Sequence, residues 1–178
     1  MDVIRVYRQS PQPAKFMFLG LGLTIFVSFG ALFLLMLRKE EIHHAARIGD
    51  VERVASILDR SPHYLEETNR LGLTPLLDAT WEDQAEVVDL LVRRGANLRA
   101  TCSLSSEDGA WTALHIAANF GSKRSADVLI RAGADVNART IRGDTPLDLA
   151  VEKGRAGIAE LLRTNGGMSG RDMPKPVP

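Results

Sequence analysis

The chain has 178 residues, 22 Lys and Arg against 22 Asp and Glu, and a single cysteine, so it holds one modest domain with appendages and no internal disulfide or cysteine-rich zinc site. The zero formal charge hides a split: residues 1–39 carry Arg5, Arg8, Lys15, Arg38 and Lys39 against Asp2 alone, and residues 40–178 carry the matching acidic excess. A mildly acidic body offers no basic face for phosphate contacts, which argues against nucleic acid as a partner.

Residues 1–15 form a short basic tail. Phe16 to Leu37 then runs for 22 residues without a charge, its only polar side chains being Thr24 and Ser28. As a helix it spans about 33 Å, enough for a hydrocarbon core of roughly 30 Å. No other element of the chain is apolar enough to surround such a cylinder, so the segment is expected to cross a membrane. A cleaved leader would need a small-x-small site after its apolar run. Ser28-Phe29-Gly30 is the one candidate, and cutting there leaves Ala31 to Leu37 exposed on the new terminus. Retention as a signal anchor is the better reading. Basic residues flank the span on both sides, Arg5, Arg8 and Lys15 before it and Arg38, Lys39, Arg47 and Arg53 after it. A short tail with three fixed charges is hard to translocate, so the repeats are expected outside, in the periplasm of a bacterium, with a cytoplasmic repeat domain as the alternative. A bacterial source also fits the 17 arginines against five lysines, a bias of GC-rich genomes. Gly20, Thr24 and Ser28 recur every fourth residue and give one side of this helix a small-residue stripe suited to packing in a homodimer or against a partner's helix.

Between Leu37 and Gly49 there is no Pro, Gly or capping side chain, so the membrane helix is predicted to run on into the first soluble element. From there the sequence repeats. Thr74-Pro75-Leu76 returns as Thr112-Ala113-Leu114 and Thr145-Pro146-Leu147, each followed by an Ala-rich turn and a second apolar run. Those runs (Val87 to Leu91, Ala126 to Ile130, Ile158 to Leu162) close at Gly95-Ala96, Gly133-Ala134 and Gly166-Gly167. The copies occupy residues 69–100, 101–139 and 140–167. An earlier one at 40–68, Ile42 to Asp50 and onward, lacks the Thr-Pro-Leu start. Thr before Pro is a helix cap with Pro at the first helical position. One copy cannot bury its own apolar face, so stability must come from stacking. Thr101 to Ala110 holds five extra residues around Cys102-Ser103-Leu104-Ser105-Ser106, a polar stretch expected to project as a loop. Met168 to Pro178 is short and proline-containing, and disorder is expected there.

The stretch Asp108-Gly109-Ala110-Trp111-Thr112-Ala113-Leu114-His115-Ile116-Ala117-Ala118-Asn119-Phe120-Gly121 resembles the signature of the ankyrin repeat family, and the resemblance extends over about residues 40–167. It implies an all-α solenoid of about four helix pairs, preceded here by one transmembrane helix. In that family the histidine of Thr-Pro-Leu-His ties neighbouring turns together. Only His115 keeps it; Leu77 and Asp148 stand in the equivalent places, so weaker bonding between repeats is expected on both sides of the third copy. The family meets protein partners on its concave face, at finger tips and inner-helix ends. Those positions are Arg47, Ile48, Trp81, Glu82, Asn119, Phe120, Glu152 and Lys153 on the helices, and Asn69, Arg70, Arg139, Thr140, Ile141 and Arg142 at the tips. Trp81 and Phe120 read as exposed anchors, since interface hot spots favour large aromatics.

Chemistry is poorly supported. His43-His44 beside Glu40-Glu41 invites a metal, but adjacent histidines diverge by about 100° on a helix. Cys102 with His115 invites nucleophilic catalysis, yet a thiol on a polar loop has no positioned base. The reading is therefore no enzyme, no cofactor and no metal. The expected function is a membrane-tethered adaptor holding a protein client. Alternatives are a non-catalytic protective or inhibitory partner of one exported enzyme and, remotely, an enzyme using Cys102.

Overall fold

The computed structural model describes residues 40–103 and 109–172, all within the compact unit Lys39–Pro178. Among these residues the chain forms eight α-helices in four antiparallel pairs. They are α1 (residues 40–48), α2 (Val51–Arg60), α3 (Pro75–Trp81), α4 (Ala85–Arg93), α5 (Ala113–Phe120), α6 (Lys123–Arg131), α7 (Pro146–Glu152) and α8 (Ala156–Thr164). A short 3-10 turn at Pro62–Leu65 follows α2. The odd-numbered helices make an inner row and the even-numbered helices an outer row, each packing on the same member of the next pair. No strand forms among the described residues; Cys102 and Trp111 make one isolated antiparallel bridge.

Local chemistry starts the inner helices as the sequence predicts. Thr74 Oγ1 accepts from the Leu77 amide and Thr145 Oγ1 from the Asp148 amide, with Pro75 and Pro146 at the first helical positions. Ala79, Ala117, Ala118 and Ala150 have no accessible surface, so small side chains stand where inner helices meet. The outer helices contribute Leu91, Leu129 and Leu162, all fully buried. Burying each such side chain is worth about 1.5–3 kcal/mol, and nearly all of it depends on a neighbouring repeat.

One device joins every pair of repeats. The residue just before an outer helix reaches back to a carbonyl at the end of the inner helix of the previous repeat: Gln84 Nε2 to Arg47 O at 2.9 Å, Ser122 Oγ to Trp81 O at 3.4 Å, Arg155 Nε to Asn119 O at 3.4 Å. Gly121 is needed at the last of these joints. It ends α5 with φ of +92°, and a Cβ there would sit 3.2 Å from the Arg155 guanidinium.

Leu77, at the joint of the second and third copies, is a fully buried apolar residue, and polar side chains take a joining role at the two ends of the stack instead. Between the first and second copies, His43 Nδ1 lies 2.7 Å from Asp78 Oδ2, both groups being buried, and Asn69 Nδ2 donates to the same carboxylate oxygen at 3.0 Å. At the carboxyl end of the fourth copy, Asp148 closes a capping box by accepting from the Thr145 amide and hydroxyl, and also accepts from Ser169 Oγ at 2.6 Å and the Gly170 amide at 2.8 Å. Those last two bonds fix Ser169 and Gly170 in place; residues 173–178, the rest of the tail expected to be disordered, lie outside the described residues. Residues 168–172 form a strap on the carboxyl end of the stack, further held by Arg139 Nη2 on Gly170 O and Thr145 Oγ1 on Met168 O. For 168–172, composition suggested disorder, but Ser169 and Gly170 supply donors to the half-buried Asp148 carboxylate.

Four expectations lie outside the described residues: the Phe16–Leu37 membrane helix, its small-residue stripe of Gly20, Thr24 and Ser28, its continuity into α1, and the tip of the Cys102 finger at residues 104–108. Among the described residues, no helix is long and apolar enough to cross a membrane.

Candidate protein-binding groove

The last turns of the inner helices face the fingers that precede them, and between the two rows lies a groove of about 510 Å³. Trp81, Asn119, Phe120, Leu149, Glu152 and Lys153 line it from the helices, and Leu71, Ser103, Trp111, Arg142 and Asp144 from the fingers. Trp81 ends α3 and Phe120 ends α5; their rings stack with centroids 4.2 Å apart and planes 24° from parallel. Phe120 remains 36% exposed. Trp81 differs from the expectation of a freely exposed anchor: it is half-buried and packs on the core, because the Phe120 ring covers one of its faces.

The charged rim is self-neutralised. Arg142 lies 3.6 Å from Asp144, Lys153 2.9 Å from Glu152, and Arg47 3.7 Å from Glu82. Arg70 pairs with Glu40 at 3.3 Å. Apolar side chains meanwhile stand in solvent around the same face: Ile48 is 56% exposed, Leu71 68% and Ile141 75%.

Of the residues expected at the interface, Trp81, Asn119, Phe120, Arg142, Glu152 and Lys153 come together in this groove. Arg47, Ile48, Arg70, Glu82 and Ile141 are exposed outside its lining. Three tip residues are not free contact surface. Thr140 is buried, its hydroxyl accepting from the Asp144 amide. Asn69 is half-buried and organises its turn by accepting from the Leu71 and Leu73 amides. Arg139 spends its guanidinium on the Gly143 and Gly170 carbonyls. Short polar side chains at a reversal serve the turn before they serve a ligand.

Sequence reasoning missed Leu71, Trp111 and Leu149. Trp111 offered a signal: it is one of two tryptophans in the chain, placed directly before the Thr112 cap where a finger meets its helix. It is only 7% exposed, and among the described residues its Nε1 has no hydrogen-bond partner.

Cys102 stands in the stem of its finger rather than on a polar loop. It is 5% exposed, its backbone is paired with Trp111, and burial pushes its thiol up to about 11. A thiol so held is protonated at neutral pH and a poor nucleophile. His43 turns inward to Asp78 and His44 outward to solvent. Among the described residues, no three His, Cys, Asp or Glu side chains are grouped to hold a metal.

The chain matches the family described as ankyrin repeats (3 copies) over residues 99–171, and the single ankyrin repeat over residues 71–103. It is similar to ankyrin repeat and SAM domain-containing protein 6 of Rattus norvegicus, 34% identical over 114 residues, which is 64% of this chain and 12% of that protein. The Neurogenic locus Notch protein of Drosophila melanogaster is 34% identical over 122 residues, 60% of this chain and 4% of its own length. Protein phosphatase 1 regulatory subunit 27 of Mus musculus is 35% identical over 103 residues, 58% of this chain and 64% of that one. The chain thus spans small fractions of the large relatives, and what aligns is the repeat region. Four stacked helix pairs, the Thr-capped inner helices and the matches across residues 71–171 agree: the chain belongs to the ankyrin repeat family, whose repeats are modules for binding other proteins.

Proposed function

We propose that this chain is a membrane-tethered adaptor, with Phe16–Leu37 as its anchor and the groove over Trp81 and Phe120 as the seat of a protein client. The observation that carries the reading is the stacked aromatic pair beneath a groove of about 510 Å³, in a repeat family that binds proteins. The basic tail favours a domain on the extracytoplasmic side, and the Gly20, Thr24 and Ser28 stripe favours pairing of membrane helices. Catalysis by Cys102 is not part of this reading, since the thiol is enclosed and protonated.

A second reading has one observation in its favour. The mouse relative that shares 64% of its length with this alignment is by name a regulatory subunit of an enzyme. On that reading the client is one specific enzyme, which this chain protects or inhibits. Affinity capture of the full chain in mild detergent tests both. A client retained by the native chain and lost with Phe120→Ala supports the groove. Equal capture by the two removes it. Enzymatic activity in the captured client, altered by the bound chain, selects the second reading over a passive tether.

A further inference from the structure

In the third copy His115 Nε2 donates across to the Asp144 carbonyl of the next finger. The fourth copy holds Asp148 at the equivalent position, and an ionised carboxylate can only accept. The carboxyl end of the stack therefore calls for donors from whatever lies against it. The strap at 168–172 supplies them: Ser169 Oγ donates to Asp148 Oδ1 at 2.6 Å, and the Gly170 amide to Asp148 Oδ2 at 2.8 Å. Two more bonds are made by strap main chain. Arg139 Nη2 donates to Gly170 O at 2.6 Å, and the Met168 amide donates to Asn137 Oδ1 at 2.8 Å. The place of Gly170 adds a size limit. A Cβ there would collide with the Gly143 carbonyl oxygen and stand 3.1 Å from Asp148 Oδ2, and main chain cannot yield as a flexible side-chain tip can. What the end of the stack reads is thus a hydroxyl, a glycine directly after it, and backbone.

The hold on the strap is polar and shallow, since none of residues 168–172 is buried. Another chain offering the same groups makes the same bonds, so exchanging one segment for the other changes little in itself. Attachment is what favours the strap. Joined to α8 through Gly166 and Gly167, it meets its site at an effective concentration of about millimolar or above. Unused surface lies beside it, however. A cleft of about 860 Å³ borders the strap with Leu147 and Val151 among its lining residues, and Val151 is 55% exposed. A segment that makes the strap's bonds and also sets an apolar side chain on Val151 gains burial that the strap leaves unused.

We propose that this end of the stack is a second docking site, for an extended client segment with a hydroxyl residue directly before a glycine, and that the strap is its built-in competitor. The site is separate from the groove over Trp81 and Phe120 and does not depend on it.

The test uses the full chain in detergent micelles. Gly170→Ala evicts the strap and leaves the receiving residues unchanged. Trypsin cleavage after the exposed Arg171 reports the strap, and is expected to quicken about tenfold in that variant. The probe is a capped, dye-labelled hexapeptide, Gly-Met-Ser-Gly-Arg-Asp, followed by fluorescence anisotropy. Saturable binding to the Gly170→Ala chain is expected, and binding about tenfold weaker or less to the native chain. A peptide with alanine in place of the glycine after serine is expected to bind the variant about tenfold more weakly. Adding Asp148→Asn to Gly170→Ala should weaken the original peptide about tenfold, and adding Arg139→Gln, which touches no helix cap, about threefold. Circular dichroism and melting of each variant verify the stack. An unchanged tryptic rate in Gly170→Ala overturns the strap's need for glycine, and a released strap without peptide binding overturns the docking site. Equal binding by the native chain overturns the competition. Equal binding of the alanine peptide, or full binding with Asp148→Asn and with Arg139→Gln, overturns the recognition chemistry.

Discussion

His115 shows how one side chain holds two repeats and adds a pH response. The Thr112 amide donates to its Nδ1 at 3.2 Å, so the proton sits on Nε2, which donates to the Asp144 carbonyl at 3.2 Å. Burial lowers its affinity for a second proton below the ordinary histidine value, although nearby Asp144 and Ala138 carbonyls and the Asp144 and Asp135 charges pull the other way. The unfolded chain therefore takes up the proton first, and stability falls as pH drops below about 6.5. His115→Gln retains a capping side chain and removes that titration. Melting temperatures between pH 7 and 5 should decline for the native chain and decline less for the variant; identical slopes would exclude His115 as the source. Asp148 adds acid lability lower down. Partial burial alone would raise its carboxyl, but donors from Ser169, Thr145 and Gly170 outweigh this and hold it below the usual carboxylate range. Its contribution is present above about 3.8 and is lost as pH falls through the depressed value. The aromatic pair divides by role. Trp81, half-buried on the core, should lose about 2–3 kcal/mol of stability when changed to Ala. Phe120, at the surface, should lose less than about 1 kcal/mol. Urea denaturation decides between them, and a larger cost for Phe120→Ala would reverse the assignment of anchor and platform.

At the scale of elements, the first helix pair is the instructive case. It lies outside the residues matched to ankyrin repeats, 71–171, yet α1 and α2 form a helix pair and stack on the next repeat like the others. A buried pair, His43 with Asp78, joins α1 to α3. Removing one partner of a buried hydrogen bond leaves the other unsatisfied, at a cost of about 1–3 kcal/mol. Asp78→Ala is expected to destabilise by about 2–3 kcal/mol on that ground, since it strands both His43 and Asn69. Chemical denaturation showing less than about 1 kcal/mol would mean the pair does not join the repeats. Much of this level was legible in the sequence. Thr-Pro-Leu starts and Gly-Ala ends encode caps and reversals through contacts within four residues, so each copy announces itself. What was not legible depends on distance. Asp148 looked like a lost histidine because Ser169 and Gly170, its partners 21 and 22 residues on, lie in a segment without periodicity. Asn69, Thr140 and Arg139 looked like tip residues because nothing local shows that their side chains turn back on their own loops. Trp111 was read as motif; only the fold brings it beside Trp81 and Phe120.

At the scale of the whole molecule, the described residues divide labour between outer and inner helices. Exposed ion pairs lie across the outer row: Arg94 with Asp59, Arg124 with Glu86, Arg131 with Asp127. Such pairs keep a surface solvated and contribute little to stability. Exposed apolar residues gather at the inner-helix ends and fingers instead, at Ile48, Leu71, Phe120 and Ile141. That asymmetry is the main reason to place the client on the groove side. A photo-crosslinking amino acid placed singly in the full chain, in its own cell, reads the contact surface without knowing the client's identity. Position 120 stands at the groove and position 160, an exposed glutamate on α8, stands on the outer row. The account predicts a specific crosslinked species from position 120 and none from position 160. The same species from position 160, with nothing from position 120, would contradict it.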